Sequence, residues 1–314
     1  MKLSYLELLG HLAATLSFIG VAIYANFHRR MLRRTTRNSR LLYWLIMAAS
    51  VAFAVTNLGR VFYLITQGPG SGEGTLLDLI AELFILFQSL ILWYLLASKV
   101  VVERNAHPYS VLAIGAHPDD IEIAAGATLA KMHDAGYRIN GLVLTHGGQG
   151  GNAERRQDEA LCGADFLGLD TVQLLDFADT HLQEQAADLV KAIEAMIKQV
   201  QPDMILTHSS HDIHQDHQAV HEATLRAARN QTSILCYESP STTQEFTPSL
   251  FVEVCEYIEV KIEAIREHWD QRDKPYMKAE QVRGKLAFRG GQAKVEYAEG
   301  FEIMRILSSC LGGI

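Results

Sequence analysis

Two short clusters of imidazole and carboxylate side chains carry the chemistry open to this chain: Ala116-His117-Pro118-Asp119-Asp120-Ile121-Glu122 and, far downstream, His214-Gln215-Asp216-His217. Neutral imidazole and ionised carboxylate are the donors that a divalent ion of the zinc type accepts, and a catalytic zinc takes three protein ligands with one position left open. The two clusters offer more than three donors, so a carboxylate remains to serve as a base. His117 and Asp120, three positions apart across a turn containing Pro118, can converge on one ion, which leaves Asp119 facing the open position. In the second region His208, His211, His214, His217 and His221 all follow an apolar run, and spacing alone does not say which imidazole completes the set.

The elements that must position these clusters are legible in the hydrophobic pattern. Val111–Gly115, Ile139–Thr145, Val172–Leu175 and Met204–Thr207 read as buried strands, with Ile234–Tyr237 as a further one. Amphipathic stretches lie between and beyond them: Glu122–Ala135, Ala153–Leu167, Gln183–Gln199, Gln215–Arg229, Glu256–Gln271 and Tyr276–Ala287. In the third stretch Ala187, Val190, Ile193, Glu194 and Ile197 mark a 3.6-residue period. Strands alternating with helices over short links predict an α/β fold, a Rossmann-like, mainly parallel sheet with helices on both faces. Both clusters then sit at strand ends, where open α/β sheets place their chemistry.

The first third of the chain is different. The mean hydropathy of +0.05 is high for a soluble enzyme, and the excess comes from Leu8–Phe27, Leu41–Leu64 and Leu76–Ala97. Each approaches the ~20 residues that cross a bilayer as a helix. This predicts a membrane domain over residues 1–103 with three spans and a catalytic domain over 104–314. The loop from His28 to Arg40 holds six arginines, whereas Gln67–Thr75 has no basic residue. The positive-inside rule then puts the amino terminus outside and the catalytic domain in the cytoplasm. Within the spans Arg60 is expected to pair with Glu82 or Asp78. The lipid bilayer is thus an expected partner. A net charge of −8 without a basic face beyond the arginine loop argues against nucleic acid. Cys162, Cys236, Cys255 and Cys310 show no paired spacing and are expected as free thiols.

The motifs A-H-P-D-D-x-E at Ala116–Glu122 and H-x-D-H at His214–His217 resemble those of the zinc-dependent de-N-acetylases of the PIG-L and LmbE-like family. The glycine-rich turn Gly147–Gly151, the run Arg156-Gln157-Asp158-Glu159 with Leu167-Gly168, and Tyr297-Ala298-Glu299-Gly300-Phe301 extend the likeness over roughly Ser110 to Arg305. The resemblance implies that His117, Asp120 and His217 bind zinc (iron(II) is the alternative ion). It makes Asp119 the general base towards water. His214, held by Asp216, would stabilise the oxyanion or protonate the leaving amine, and Arg156 would contact substrate. Gln149 and Gln215 depart from the family pattern, which bears on substrate fit and not on ligands. The implied activity removes acetyl from an N-acetylglucosamine-type sugar, and the three spans suggest a lipid-linked one. A soluble N-acetylglucosaminyl conjugate of the kind used in thiol biosynthesis is the alternative.

Plainer readings stand beside these. Asp119 or Asp120 can be a helix cap, Arg156 a helix-surface ion pair, and His268 a packing residue. His208 and His211 are expected outside the ligand set, and His221, one helical turn beyond His217, can as easily be a surface residue. The segment Gly148-Gln149-Gly150-Gly151-Asn152-Ala153 also fits a dinucleotide-binding turn, with Asp170 further on, but it follows the second strand and leaves the metal cluster unused.

Overall fold

The computed structural model describes residues 39–67, 109–230 and 233–307, with part of 11–26. The chain divides into two compact units, Met1–Val101 and Val102–Ile314.

In the second unit every apolar run expected as a strand is one: β1 (Ser110–Gly115), β2 (Arg138–Thr145), β3 (Thr171–Phe177), β4 (Met204–His208) and β5 (Ser233–Tyr237). They pair in parallel in the order β3-β2-β1-β4-β5, and the sheet continues through β7 (Ala298–Arg305) to β6 (Leu250–Glu253), both antiparallel additions. That antiparallel edge is absent from the sequence reading. Its short strand β6 is only partly buried, and β7 carries Glu299 and Gly300 inside its buried half, so neither follows a simple strand pattern.

The helices are α1 (Asp120–Asp134), α2 (Ala153–Leu167), α3 (Ala186–Val200), α4 (Gln215–Ala227), α5 (Ile258–Arg266) and α6 (Ala279–Ala293). Alternate residues of β1 enter two cores. Val111 and Ala113 pack with side chains of α1, α5 and α6, while Leu112 and Ile114 pack with those of α3 and α4. Burial on both faces explains why β1 reads as an unbroken apolar run. The α3 stripe is Leu189, Ile193, Met196 and Ile197. Ile193 and Ile197 belong to the expected stripe, while Leu189 and Met196 are buried in preference to Ala187 and Glu194 because they remove more apolar area from water.

Two helix boundaries also differ from expectation. The stretch Glu256–Gln271 ends as a helix at Arg266, and a separate turn, Trp269–Gln271, follows. That break lets the Asp270 backbone N–H reach Glu159 Oε1 at 3.0 Å. The last helix starts at Ala279 instead of Tyr276, because Pro275 holds Lys274 in an extended conformation and a tight turn occupies Pro275–Met277.

In the first unit the second expected span falls on the helix Ser39–Gln67, which turns Trp44, Phe62 and Ile65 outward and buries Phe53 against Phe18. Among the described residues no helix is long and apolar enough to cross a membrane, so the second expected span draws no support there. Leu76–Ala97, and with it the expected Arg60–Glu82 or Arg60–Asp78 pair, lies outside the described residues. Cys162, Cys236 and Cys255 are free thiols, as expected, and Cys310 is outside the described residues.

Candidate metal centre

The strand order reverses between β1 and β4, and the crevice at the carboxyl ends of those two strands holds both sequence clusters. At the end of β1 the chain makes a tight turn in which Asp119 adopts φ 109°, outside the range that non-glycine residues favour. Asp119 occupies the cap position of α1, yet its side chain makes no capping hydrogen bond. The plain reading of this residue as a helix cap is therefore wrong. Its carboxylate meets Arg156 Nη2 at 3.4 Å in a cavity of about 420 Å³.

At the floor of that cavity the Asp120 carboxylate stands between two imidazoles. His117 Nδ1 lies 3.4 Å from Asp120 Oδ2, and His217 Nε2 lies 3.4 Å from Asp120 Oδ1. Metal–ligand bonds of 2.0–2.2 Å in a tetrahedron require ligand atoms about 3.3–3.6 Å apart. The remote nitrogens of both rings are tied to carboxylates. His217 Nδ1 is 2.9 Å from Asp212 Oδ2, and His117 Nε2 is 3.1 Å from Asp216 Oδ2 and 3.2 Å from Asp179 Oδ1. Carboxylates behind ligating imidazoles fix the ring and leave the inner lone pair for the metal.

Three groupings of histidine and carboxylate bring one donor atom each within 4.8 Å of the others: His117 with His214 and His217, Asp120 with His208 and His217, and His117 with Asp179 and Asp216. Hydrogen bonding disfavours the first two. His214 Nδ1 accepts the Asp216 backbone N–H at 3.2 Å, so its proton sits on Nε2 and it has no lone pair for a metal. His208 is fully buried, and its Nε2 accepts the Ala116 N–H at 3.1 Å. The residues present fit a divalent ion held by His117, Asp120 and His217.

Charge in the metal-free cluster follows the same logic. Burial opposes a charged His217, but Asp120 and Asp212 outweigh it and raise its pKa to about 9. Burial likewise opposes protonation of His117, yet Asp120, Asp179 and Asp216 hold it well above its ordinary value. His208 is lowered to about 4 by burial and by the neighbouring His217. His214 is lowered for similar reasons, burial and then the charges of His217 and His117. Asp119 is raised to about 6 by burial, against the pull of Arg156. A raised carboxylate beside a metal cluster is what a general base near neutral pH requires.

These contacts correct one expectation and add to another. The Asp216 carboxylate does not hold the His214 ring; it faces His117 and accepts the N–H groups of Thr180 and Leu182 at 2.7 and 3.2 Å. Arg156 lines the cavity but its guanidinium serves the protein first. Nη1 donates to Gly147 O at 2.6 Å and Nη2 to Pro118 O at 2.8 Å, so it braces the Asp119 turn. Gly147, at φ 65°, is required there because a Cβ would stand 2.2 Å from Arg156 Nη1. His221 is buried, with Nδ1 at 2.9 Å from His208 O. His211 pairs with Glu302 at 2.9 Å, away from the centre. His268 is fully buried near Glu122 Oε1 at 3.5 Å.

Sequence reasoning missed Asp179 and Asp212. Asp179 lies in the loop after β3, distant in sequence from both motifs. Asp212 stands two positions before His214, and that short spacing was the available signal. The glycine-rich turn belongs to this site and not to a dinucleotide: the Gln149 N–H donates to Asp179 Oδ2 at 2.7 Å.

Residues 112–228 match the family described as PIG-L, GlcNAc-PI de-N-acetylase. An uncharacterized deacetylase of Escherichia coli, YaiS, is 39% identical over 165 residues, which cover 50% of this chain and 89% of that protein. Diacetylchitobiose deacetylase of Thermococcus kodakarensis is 28% identical over 186 residues, covering 51% of this chain and 69% of that one. The solved N,N'-diacetylchitobiose deacetylase from Pyrococcus horikoshii superposes with a TM-score of 0.54 at 25% identity, over 66% of this chain and 89% of its own. With the fold, the crevice and the donor set in agreement, the chain belongs to the PIG-L de-N-acetylase family and is a metal-dependent N-deacetylase.

Proposed function

We propose that this enzyme removes the acetyl group from an N-acetylated amino sugar of the N-acetylglucosamine type, presented as a soluble conjugate, with zinc as its ion. One observation carries the reading: the Asp120 carboxylate stands 3.4 Å from both His117 Nδ1 and His217 Nε2, next to a buried Asp119 whose side chain makes no capping hydrogen bond. The diacetylchitobiose deacetylases among its relatives support the sugar class. Lipid linkage of the substrate draws no comparable support.

When bound, zinc supplies Lewis acidity, which polarises an amide carbonyl and brings water within reach of ionisation near neutral pH. Asp119 takes the proton of the attacking water, its ionised form favoured by Arg156. His214 Nε2–H donates to the oxygen that becomes negative, because its Nδ1 is committed to Asp216 N–H. The proton held by Asp119 then passes to the departing nitrogen as the C–N bond breaks, giving acetate and a free amine. Acetate release from N,N'-diacetylchitobiose and soluble N-acetylglucosaminyl conjugates by zinc-loaded protein tests the reading. Absence of release from all of them, with a folded and loaded enzyme, overturns it.

Membrane anchoring, amino terminus outside and catalytic unit on the cytoplasmic face, belongs to the same proposal. Its support is the outward apolar side chains Trp44, Val55 and Phe62 on the helix Ser39–Gln67, together with the arginine loop before it. Full recovery of the intact chain in the supernatant after carbonate extraction of cells excludes it.

A further inference from the structure

We propose that Lys274 is a specificity-determining residue, which recruits an anionic substituent carried by the amino-sugar substrate; this rests on the deacetylase reading above.

Besides the imidazoles, one arginine and one lysine line the cavity, and they differ in what they already hold. Arg156 directs both of its Nη atoms to the protein, at Gly147 O, Pro118 O and the Asp119 carboxylate. Lys274 forms no ion pair among the described residues, and its Nζ lies 5.8 Å from the centre of the Tyr276 ring. The cavity carboxylates are committed elsewhere. Asp119 meets Arg156, Asp120 lies among the imidazoles, and Asp179 takes His117 and the Gln149 N–H. The amine is therefore an uncompensated positive charge on the wall of a substrate cavity.

Its mounting is fixed. The Lys274 backbone N–H donates to Gln271 O at 3.0 Å, and Gln271 Nε2 donates to Gly150 O at 3.2 Å. Pro275 locks the residue into an extended backbone. Arg156 and Lys274 approach Gly150 together, since a Cβ built there would lie 2.9 Å from Arg156 Nη1 and 3.7 Å from Lys274 Nζ. Two like charges held around one glycine repel each other, and an anion entering beside them relieves that repulsion. A carboxylate or a phosphate on the aglycone side of the sugar supplies this charge; a neutral disaccharide does not.

The test compares kcat/KM for acetate release from three substrates: neutral N,N'-diacetylchitobiose, an N-acetylglucosaminyl conjugate of a hydroxycarboxylic acid, and N-acetylglucosamine 1-phosphate. Zinc-loaded wild type, Lys274→Met and Lys274→Arg are assayed at low and high salt. The expected result is a preference for one anionic substrate of about tenfold or more, as a charge-assisted hydrogen bond provides. It resides in KM, weakens with salt, collapses in Lys274→Met and survives in Lys274→Arg. The preferred anion distinguishes carboxylate from phosphate. Equal kcat/KM for neutral and anionic substrates in the wild type, or a preference that persists in Lys274→Met, overturns the role of Lys274 and leaves the deacetylase reading standing. No release from any of the three overturns both.

Discussion

Asp212 Oδ2 sits 2.9 Å from His217 Nδ1, and the same carboxylate accepts the hydroxyls of Ser239 at 2.5 Å and Ser241 at 2.7 Å. The Asp212 carboxyl is held well below its ordinary pKa, burial being outweighed by His217 and the hydroxyl donors. An anion fixed so firmly dictates which His217 nitrogen keeps its proton, and so which one faces Asp120. Replacing Asp212 with Ala is expected to weaken metal affinity about 10–100-fold. Competition against a chromophoric chelator measures this, and unchanged affinity contradicts the role.

Asp119 stands apart from the ligand atoms, so Asp119→Asn should leave metal content intact while turnover falls by about 10²–10⁴. Metal content by mass spectrometry, read beside acetate release, separates the two effects. Loss of metal in this variant would make Asp119 a ligand and not a base.

The raised pKa of Asp119 has a consequence for pH dependence. A base must be ionised to act, so activity should rise with pH through an acid limb set by Asp119, whose pKa in the metal-free cluster is about 6. Burial raises this value and Arg156 lowers it, so removing the guanidinium in Arg156→Gln raises it further. The acid limb of log kcat/KM should accordingly move to higher pH in that variant. A limb that stays in place, or moves to lower pH, would show that Arg156 does not act on the base.

Metal uptake should release protons. Below about pH 9 the metal-free His217 is protonated, and His117 is also held protonated by its three carboxylates. A cation that takes their lone pairs must expel those protons, so affinity falls as pH falls. Calorimetry in buffers of different ionisation enthalpy should give about one proton or more per ion at neutral pH. No release would mean that another donor set binds the ion.

Much of this was legible in the sequence because the site follows a general constraint. Parallel strands buried on two faces must be continuously apolar, so β1 and β4 announced themselves, and the polar residues immediately after them had to lie on the rim. The contacts around those rims were not legible. Asp179 reaches His117 only because β3 ends on the same side of the sheet, and no spacing in the chain records that. The role of Asp216 was misassigned for a related reason: the resemblance gave it to His214, whereas folding turned the carboxylate to His117; the hold of Arg156 on the Asp119 turn was equally out of reach. Gln215 illustrates the same point, since its Nε2 donates to Thr180 O at 2.8 Å and braces the loop that holds Asp179.

The remaining prediction concerns stability. Lys261 and Glu299 form a fully enclosed ion pair, and Glu299 also accepts the Ala127 and Thr128 N–H groups of α1 at 3.2 and 2.7 Å. Removing one partner, as in Lys261→Met, strands a buried carboxylate and should cost about 3–5 kcal/mol. Urea unfolding of the variant measures this, and a loss below about 1 kcal/mol would mean that water reaches the pair.

The central claim is that one ion lies between His117, Asp120 and His217. The most direct measurement is anomalous diffraction at the zinc edge from crystals of zinc-loaded protein. The account predicts a single strong peak bonded to His117 Nδ1, an Asp120 carboxylate oxygen and His217 Nε2, with Asp119 outside bonding distance. A peak between His117, Asp179 and Asp216, or one ligated by His208 or His214 in place of His117, would contradict it.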